Sequence, residues 1–325
     1  MTFISYAQNF EDVMLWRALG HVEKGFYIDA GAWSPDDDSV TRAFYERGWR
    51  GINIEPNPTW FGKLCEKRPE DINLQLALSD KEETLNLYVV VDVTGLSTIE
   101  AKYAEKNKEA GQPIQELPCQ ATTLNKLWGE HVHQTQVHFL KIDVEGAEEA
   151  VIRGNDWISN RPWIVLIEST YPNTQISTHH LWEHFLLEAN YIHVYADGLN
   201  RYYVAKEHSD LAVAFSYPPN IFDQFILSSH AQAEADVLLL SQQHRELFQQ
   251  HHELSQQYRE LSQQYHALEV QHLAAVQILS ELRKTRIYRV IQKLRQWLWL
   301  EERILGLAYF QDNNDSIQFE HNKGT

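Results

Sequence analysis

The stretch GFYIDAGA (25–32), with RGINIEP following at 50–56, decides the fold. Each is a short apolar run that ends in an acidic residue beside a glycine or a proline. Runs this short, bounded by turn residues, read as buried strands. The two acids, Asp29 and Glu55, stand 55 − 29 = 26 residues apart, the span of one strand–helix–strand unit. The pattern then continues. Phe26–Ala30, Ile52–Ile54, Ile72–Leu78, Val137–Val144, Trp163–Ile167 and Tyr191–Tyr195 read as strands. Ser39–Arg47, Pro58–Lys67, Ala147–Gly154 and His179–Glu188 read as helices between them, and 92–135 as an irregular excursion over the sheet. Strands alternating with helices imply an α/β domain around a mostly parallel sheet.

In such a sheet, ligands bind beyond the carboxyl ends of the strands. Asp29, Gly31 and Ala32 close the first strand, where a glycine lets a nucleoside approach the backbone. Glu55 closes the second, where a carboxylate can accept both ribose hydroxyls. The structural alternative is a helix-capping aspartate and an ordinary turn before Pro56. Gly31 is followed by AWSPDD, without the spaced glycines of a dinucleotide fingerprint, and Asp36–Asp38 would repel a pyrophosphate. A nucleoside without phosphates fits better, and S-adenosyl-L-methionine is such a ligand.

A second acidic group follows in HFLKIDVEGAEEAVIRG (138–154) and RPWIVLIEST (161–170). If the strand continues past Asp143, then Asp143 and Glu145 point to one side, and Glu168 ends the next strand. Three acids at neighbouring tips can take a proton from a substrate hydroxyl. Asp143 and Glu168 are also candidate ligands for a divalent cation such as Mg2+. Helix capping, or pairing with Lys141 and Arg161, is the structural alternative. Tyr6, Trp33 and Tyr171 are candidate aromatic faces for an acceptor, and His138 reads as a core residue, with a catalytic role the less favoured alternative.

Lys and Arg total 28 against 45 Asp and Glu, a formal charge of −17, which argues against a nucleic-acid partner. Two cysteines, Cys65 and Cys119, fit a reducing compartment. No signal-peptide pattern opens the chain and no window has the length of a membrane span, so a cytoplasmic enzyme is expected.

From residue 240 the sequence repeats every seven residues: LSQQHRE, LFQQHHE, LSQQYRE, LSQQYHA. Leu240, Leu247, Leu254, Leu261 and Leu268 share one heptad position, and His244, His251, Tyr258, Tyr265 and His272 follow four residues later. This is a d-to-a seam, expected to form a homo-oligomeric coiled coil. Its histidines lie a heptad apart, so they stack along the seam rather than converge on a metal. Beyond it, RKTRIYRVIQKLRQWLWLEERILGLAYF (283–310) is basic and amphipathic. It suits an interfacial helix at the inner face of a membrane, packing on the catalytic domain, or an extension of the coil. The expected domains are an α/β nucleoside-binding domain at 1–228, a stalk at 234–285, and a basic helix with a flexible tail at 286–325.

The sequence resembles the FkbM family of S-adenosylmethionine-dependent methyltransferases. The resemblance is carried by SYAQNFEDVML (5–15), GFYIDAGAWSPDDDSVTRAFYERGWRGINIEPNP (25–58), RPEDINLQLALSD (68–80), GLST (95–98), HFLKIDVEGAEEAVIRG (138–154) and RPWIVLIE (161–168). It implies a class I, Rossmann-like methyltransferase fold. The family's first motif falls on Asp29, Ala30, Gly31 and Ala32, its ribose carboxylate on Glu55, and the acid near the adenine on Asp80. The KIDVEG segment is Lys141–Gly146, and the opening polar motif is Ser5, Gln8, Glu11 and Asp12. Where many relatives carry a second glycine, this chain has Ser34 and Pro35. The implied activity is O-methylation of a hydroxyl or carboxyl group, often on the sugars of glycans or on secondary metabolites. A sugar or glycan hydroxyl is the expected acceptor, and the stalk and basic, Trp-bearing tail of 240–300 suit a polymeric or lipid-linked saccharide. The alternatives are a non-catalytic nucleoside-binding scaffold on an oligomeric stalk and, less favoured, an NAD-dependent oxidoreductase.

Overall fold

Side chains alternate along FYIDA, and the two sets face different cores. Ile28 and Ala30 join Ile52, Ile54, Leu140, Ile142, Val165 and Ile167 on one face of a sheet. Tyr27 joins Phe139, Ile164, Leu166, Phe44 and Trp49 on the other. A sheet buried on both faces needs this continuous apolar composition. The computed structural model describes residues 2–90 and 97–304.

The chain opens with β1 (Phe3–Ser5), α1 (Glu11–Leu19), β2 (Phe26–Ala30), α2 (Arg42–Tyr45), β3 (Arg50–Ile54), α3 (Pro58–Lys67) and β4 (Ile72–Leu74). Helix α3 has the expected bounds because its start is chemically marked. The Asn57 side chain accepts from the Thr59 N–H at 3.0 Å, and Pro58 occupies the first turn. Helix α2 is shorter than the expected 39–47. Asp38 has φ of 49°, so the backbone turns just before it, and the Thr41 hydroxyl donates to Asp29 at 3.1 Å.

The expected strand Ile72–Leu78 divides. After β4 the chain leaves the sheet, and β5 (Ala77–Leu78) enters a second one with β6 (Glu83–Val90), β7 (Ser97–Thr98) and β8 (Ile114–Thr122), in the order β5-β8-β6-β7. The helix α4 (Ala101–Glu109) lies between β7 and β8. The segment expected to be irregular is therefore largely ordered: β6 and β8 pair antiparallel over eight residues. Of the GLST segment, Gly95 and Leu96 lie outside the described residues.

The chain returns through α5 (Leu124–Leu127), β9 (Phe139–Ile142), α6 (Glu148–Arg153), β10 (Ile164–Glu168), α7 (Glu183–Glu188), β11 (Tyr191–Ala196) and β12 (Asn200–Ala205). The expected helix 179–188 is split into a single tight turn, His179–Leu181, and α7. The main sheet has the order β11-β12-β10-β9-β2-β3-β4. Strands β10, β9, β2, β3 and β4 are mutually parallel, whereas β12 runs antiparallel to both β10 and β11. The sheet is thus mixed: β12 runs against both of its neighbours, while β11 runs in the same direction as β10. The cause is local: Asp197 accepts from the Leu199 and Asn200 N–H groups, and Gly198 has φ of 100°, a tight turn that folds β12 back on β11.

Strand β13 (Phe225–Leu227) pairs parallel with β1. Nearby, Arg17 makes a two-pronged ion pair with Asp223 at 2.7 and 2.6 Å, tying α1 to the segment before the long helices. These are α8 (Ser228–Lys284) and α9 (Arg286–Ile304). The chain divides into two units, Met1–Asp236 and Val237–Thr325. No helix among the described residues is long and apolar enough to cross a membrane. The tail from 305 lies outside the described residues.

Candidate active site

At the carboxyl ends of β2, β3, β9 and β10 lies a cavity of about 1160 Å³. Gly31–Trp33, Ile54–Pro56, Leu76, Leu78 and Ile99 form one part of its wall. Gln8, Asn9, Glu11, Asp143–Glu145, Glu168, Thr170 and Asp197–Asn200 form another.

Gly31 makes the first part possible. Its φ is +79°, and a Cβ there would fall 1.7 Å from the Asp143 carbonyl oxygen. Only glycine lets the β2 tip turn this close to the β9 tip. The Gly31 and Ala32 N–H groups donate to Ile54 O at 3.0 and 3.1 Å, which holds the turn against β3. Glu55 follows immediately. It is buried and accepts from the Trp33 N–H through one oxygen and the Asn57 N–H through the other, both at 2.8 Å. Burial pushes its carboxyl up to about 7 against these two hydrogen bonds.

Asp29 sits one row lower. It is opposite Asn53 on β3 and Lys141 on β9, fully buried, and is not among the residues lining the cavity. Its Oδ1 lies 3.2 Å from Lys141 Nζ. The same ammonium reaches Asp143 Oδ2 at 3.2 Å and donates to Gly31 O at 2.9 Å. One buried cation therefore ties the β2 turn to the β9 tip. Burial opposes its charge, but Asp143 and Asp29 together hold the ammonium above the usual lysine range. Asp80 is exposed and lies outside the cavity lining.

Asp143 and Glu145 both line the cavity, but not by strand alternation. Strand β9 ends at Ile142, and Glu145 and Gly146 have φ of 52° and 101°, so the backbone turns. Glu148 shapes that turn, its Oε1 accepting from the Val144 and Gly146 N–H groups at 3.2 and 3.0 Å. Burial pushes Glu148 up to about 7. Glu168, at the end of β10, has a buried oxygen without a hydrogen-bond partner. Burial, and then the charges of Asp143 and Glu145, raise Glu168 far above the ordinary carboxylate range. Carboxyl groups gathered at neighbouring strand tips do not all ionise, so the cluster as a whole resists full charge. Among the described residues, no group of three or more His, Cys, Asp or Glu is arranged to hold a metal ion.

Of the aromatic candidates, Trp33 lines the cavity, stacked edge-on with Trp60 at 5.2 Å, whereas Tyr6 and Tyr171 do not. Tyr6 instead donates to Glu46 at 3.0 Å under the Arg42 guanidinium. His138 accepts from the Phe26 N–H at 3.0 Å and packs on Trp163, and burial lowers its pKa, as befits a core residue.

Reasoning from the sequence overlooked two contributions. Glu11, noted only within a motif, is buried at the cavity wall, accepting from Asn200 Nδ2 at 2.7 Å and from the Asn9 N–H at 2.8 Å. The β11–β12 turn, Asp197–Asn200, was missed altogether. Its signal was the Asp-Gly pair in YADGLN (195–200) between two apolar runs, a hairpin signature.

A family profile described as the methyltransferase FkbM domain matches residues 29–192, which is 164 of 325 residues. Among solved structures, the chain is similar to methyltransferase FkbM from Methylobacillus flagellatus KT, at 13% identity and a TM-score of 0.36. That match covers 58% of this chain and 47% of the other, so the chain spans about half the length of that relative. No curated protein matches.

Proposed function

Since the chain belongs to the FkbM family of methyltransferases, we propose that it transfers a methyl group from S-adenosyl-L-methionine to a hydroxyl of a neutral sugar or glycan. The observation that carries this reading is the Gly31 turn and the buried Glu55 in one cavity with the acids Asp143, Glu145 and Glu168. The residues present fit the cofactor. Gly31 and Ala32 leave room beside the backbone, Glu55 offers a carboxylate to ribose hydroxyls, and Leu76, Leu78 and Ile99 give an apolar wall for a base. When bound, S-adenosyl-L-methionine supplies an electrophilic methyl group on a positively charged sulfur. Asp29 acts through Lys141, fixing the Gly31 turn. Asp80 would serve the adenine only from beyond the present wall.

On the other side, Asp143 takes the proton of the acceptor hydroxyl, with Glu145 and Glu168 supporting it. Orientation of the hydroxyl is the larger contribution, and the Asp197–Asn200 turn and Thr170 supply hydrogen-bonding groups for it. A cation on Asp143 and Glu168 would need further oxygen ligands from the acceptor or water. Seven carboxyl groups, not all of them ionised, line the cavity among the described residues (Glu11, Asp38, Glu55, Asp143, Glu145, Glu168 and Asp197), against the single ammonium of Lys141. That balance favours an uncharged acceptor over a phosphorylated or carboxylated one.

The proposed division of labour is methyl transfer by 1–228, with the stalk at 234–285 and the basic region at 286–325 outside the chemistry. In α9, Arg286, Arg289, Lys293 and Arg295 share a helix with Ile287, Val290, Leu294 and Trp297. This composition supports a peripheral position on an anionic membrane surface from the cytoplasmic side, and with it a lipid-linked acceptor.

Calorimetric titration with S-adenosylhomocysteine, with NAD as comparison, tests the reading. Micromolar binding of the first alone is expected, retained in Asp143→Asn while turnover on sugar acceptors falls at least a hundredfold. Absence of binding by folded protein would return the scaffold alternative, and binding of NAD the oxidoreductase.

A further inference from the structure

From Val237 onward α8 carries no buried residue. Its leucine column, Leu240 to Leu268, is 62–64% exposed at every repeat. Helices in proteins draw most of their stability from packing an apolar face, so a bare stripe of this length calls for a partner. The repeat identifies it. Val237 and Leu279 extend the a column at its two ends, and Ala275 and Leu282 extend the d column. The seam then has fourteen positions over seven heptads, on the order of 70 Å of helix. Three to four heptads suffice for a coiled coil.

We propose that a second copy of this chain covers this face, as a parallel, in-register, two-stranded coiled coil over 237–282. This does not depend on the methyltransferase reading. Three features select that occupant. First, the flanking columns are uncharged where the repeat is strictest. Gln fills every g position from Gln243 to Gln271, and Ser fills e at Ser241, Ser255 and Ser262. Apart from Glu269 at e, whose facing g position is Gln264, the Arg and Glu residues, such as Arg259 and Glu260, fall on the outer b and c positions. Partner choice in heterotypic coils rests on e and g charges, and here nothing repels an identical helix. Second, between Gln249 and Gln271 the e and g columns are polar, Phe248, Val276 and Ile278 being apolar exceptions outside that stretch. The stripe there is only two positions wide, which suits two strands rather than three or four. Third, the columns differ in kind. Parallel pairing sets Leu against Leu in every d layer but that of Ala275, and sets His or Tyr against its own counterpart in the a layers from His244 to His272. There the imidazole and phenol groups can hydrogen-bond across the seam. Antiparallel pairing would bury each of them between leucines without a polar partner.

The full-length protein, examined by size-exclusion chromatography with light scattering, is expected at twice 38.0 kDa, about 76 kDa. Leu254→Asp combined with Leu261→Asp should return it to monomer mass. Unchanged S-adenosylhomocysteine binding, or an unchanged thermal transition of the first unit, shows that the rest is folded. In a Cys65→Ser background, His244→Cys should form an intermolecular disulfide under mild oxidation, because a parallel register brings the two copies of residue 244 together. A wild-type monomer, a mass of three or four copies, a dimer unaffected by the double substitution, or a dimer that does not cross-link at 244 would each overturn the proposal.

Discussion

Gly31 and Lys141 set the geometry of the cavity from opposite sides of one turn. The glycine allows the β2 tip to pass the Asp143 carbonyl, and the ammonium holds Gly31 O, Asp29 and Asp143 together. Gly48 provides the internal control. It too has positive φ, 87°, but a Cβ there would meet nothing within 4 Å. Gly48→Ala should therefore cost only the left-handed conformation, about 1–2 kcal/mol. Gly31→Ala should cost more than that in urea unfolding and should also weaken S-adenosylhomocysteine binding at least tenfold. Equal costs at the two positions would mean that the close approach at Gly31 is unimportant.

Among the elements, the β9–α6 connection is where a loop places chemistry. Asp143 and Glu145 face the cavity because the chain turns at Glu145 and Gly146, and that turn depends on Glu148 accepting two backbone N–H groups. Glu148→Ala leaves both donors without their partner, so a loss of roughly 1–3 kcal/mol is expected. Glu148→Gln retains an acceptor oxygen and should recover most of the stability and the turnover. A Gln variant as impaired as Ala would show that the charge of Glu148, not its acceptor role, matters. Equal stability of Ala and wild type would remove Glu148 from the account. The β11–β12 hairpin works similarly: its turn carries Asn200, which reaches Glu11 across 189 residues of sequence and closes the wall.

For the whole molecule, pH dependence follows from burying carboxyl groups in a chain of charge −17. Glu11, Glu55 and Glu148 are each pushed up to about 7 in the folded state, chiefly by burial, from an ordinary value of 4.5. Between pH 4.5 and 7 the folded state therefore holds more protons than the unfolded one. These groups then favour folding most at the acid end of that window, and less as pH rises through 7. Glu55→Gln mimics the protonated form. The stability difference between wild type and this variant should shift in the variant's favour from pH 5 to pH 8, read from urea midpoints at the two pH values. A pH-independent difference would show that Glu55 does not titrate in this window.

The elements that local chemistry marks were legible in the sequence. Strand β2 was bounded by Gly25 and Gly31, α3 by Asn57 and Pro58, and the heptad leucines by a period no other element shares. The tip acids Glu55, Asp143 and Glu168 could be named for the same reason, because strand ends are written in short-range pattern. Tertiary structure alone decided what depends on partners distant along the chain. Asp29 reads as a tip residue, yet its register opposite Lys141 and Asn53 puts it beneath the cavity. The run 72–78 reads as one strand, yet its two ends pair with different sheets. Direction of pairing in β12, and the meeting of Glu11 with Asn200, are equally invisible to a local reading. Periodicity and turn residues act over a few neighbours and therefore survive in one dimension. Register, strand direction and the protonation of a carboxyl depend on what is packed against it, and only the folded chain supplies that.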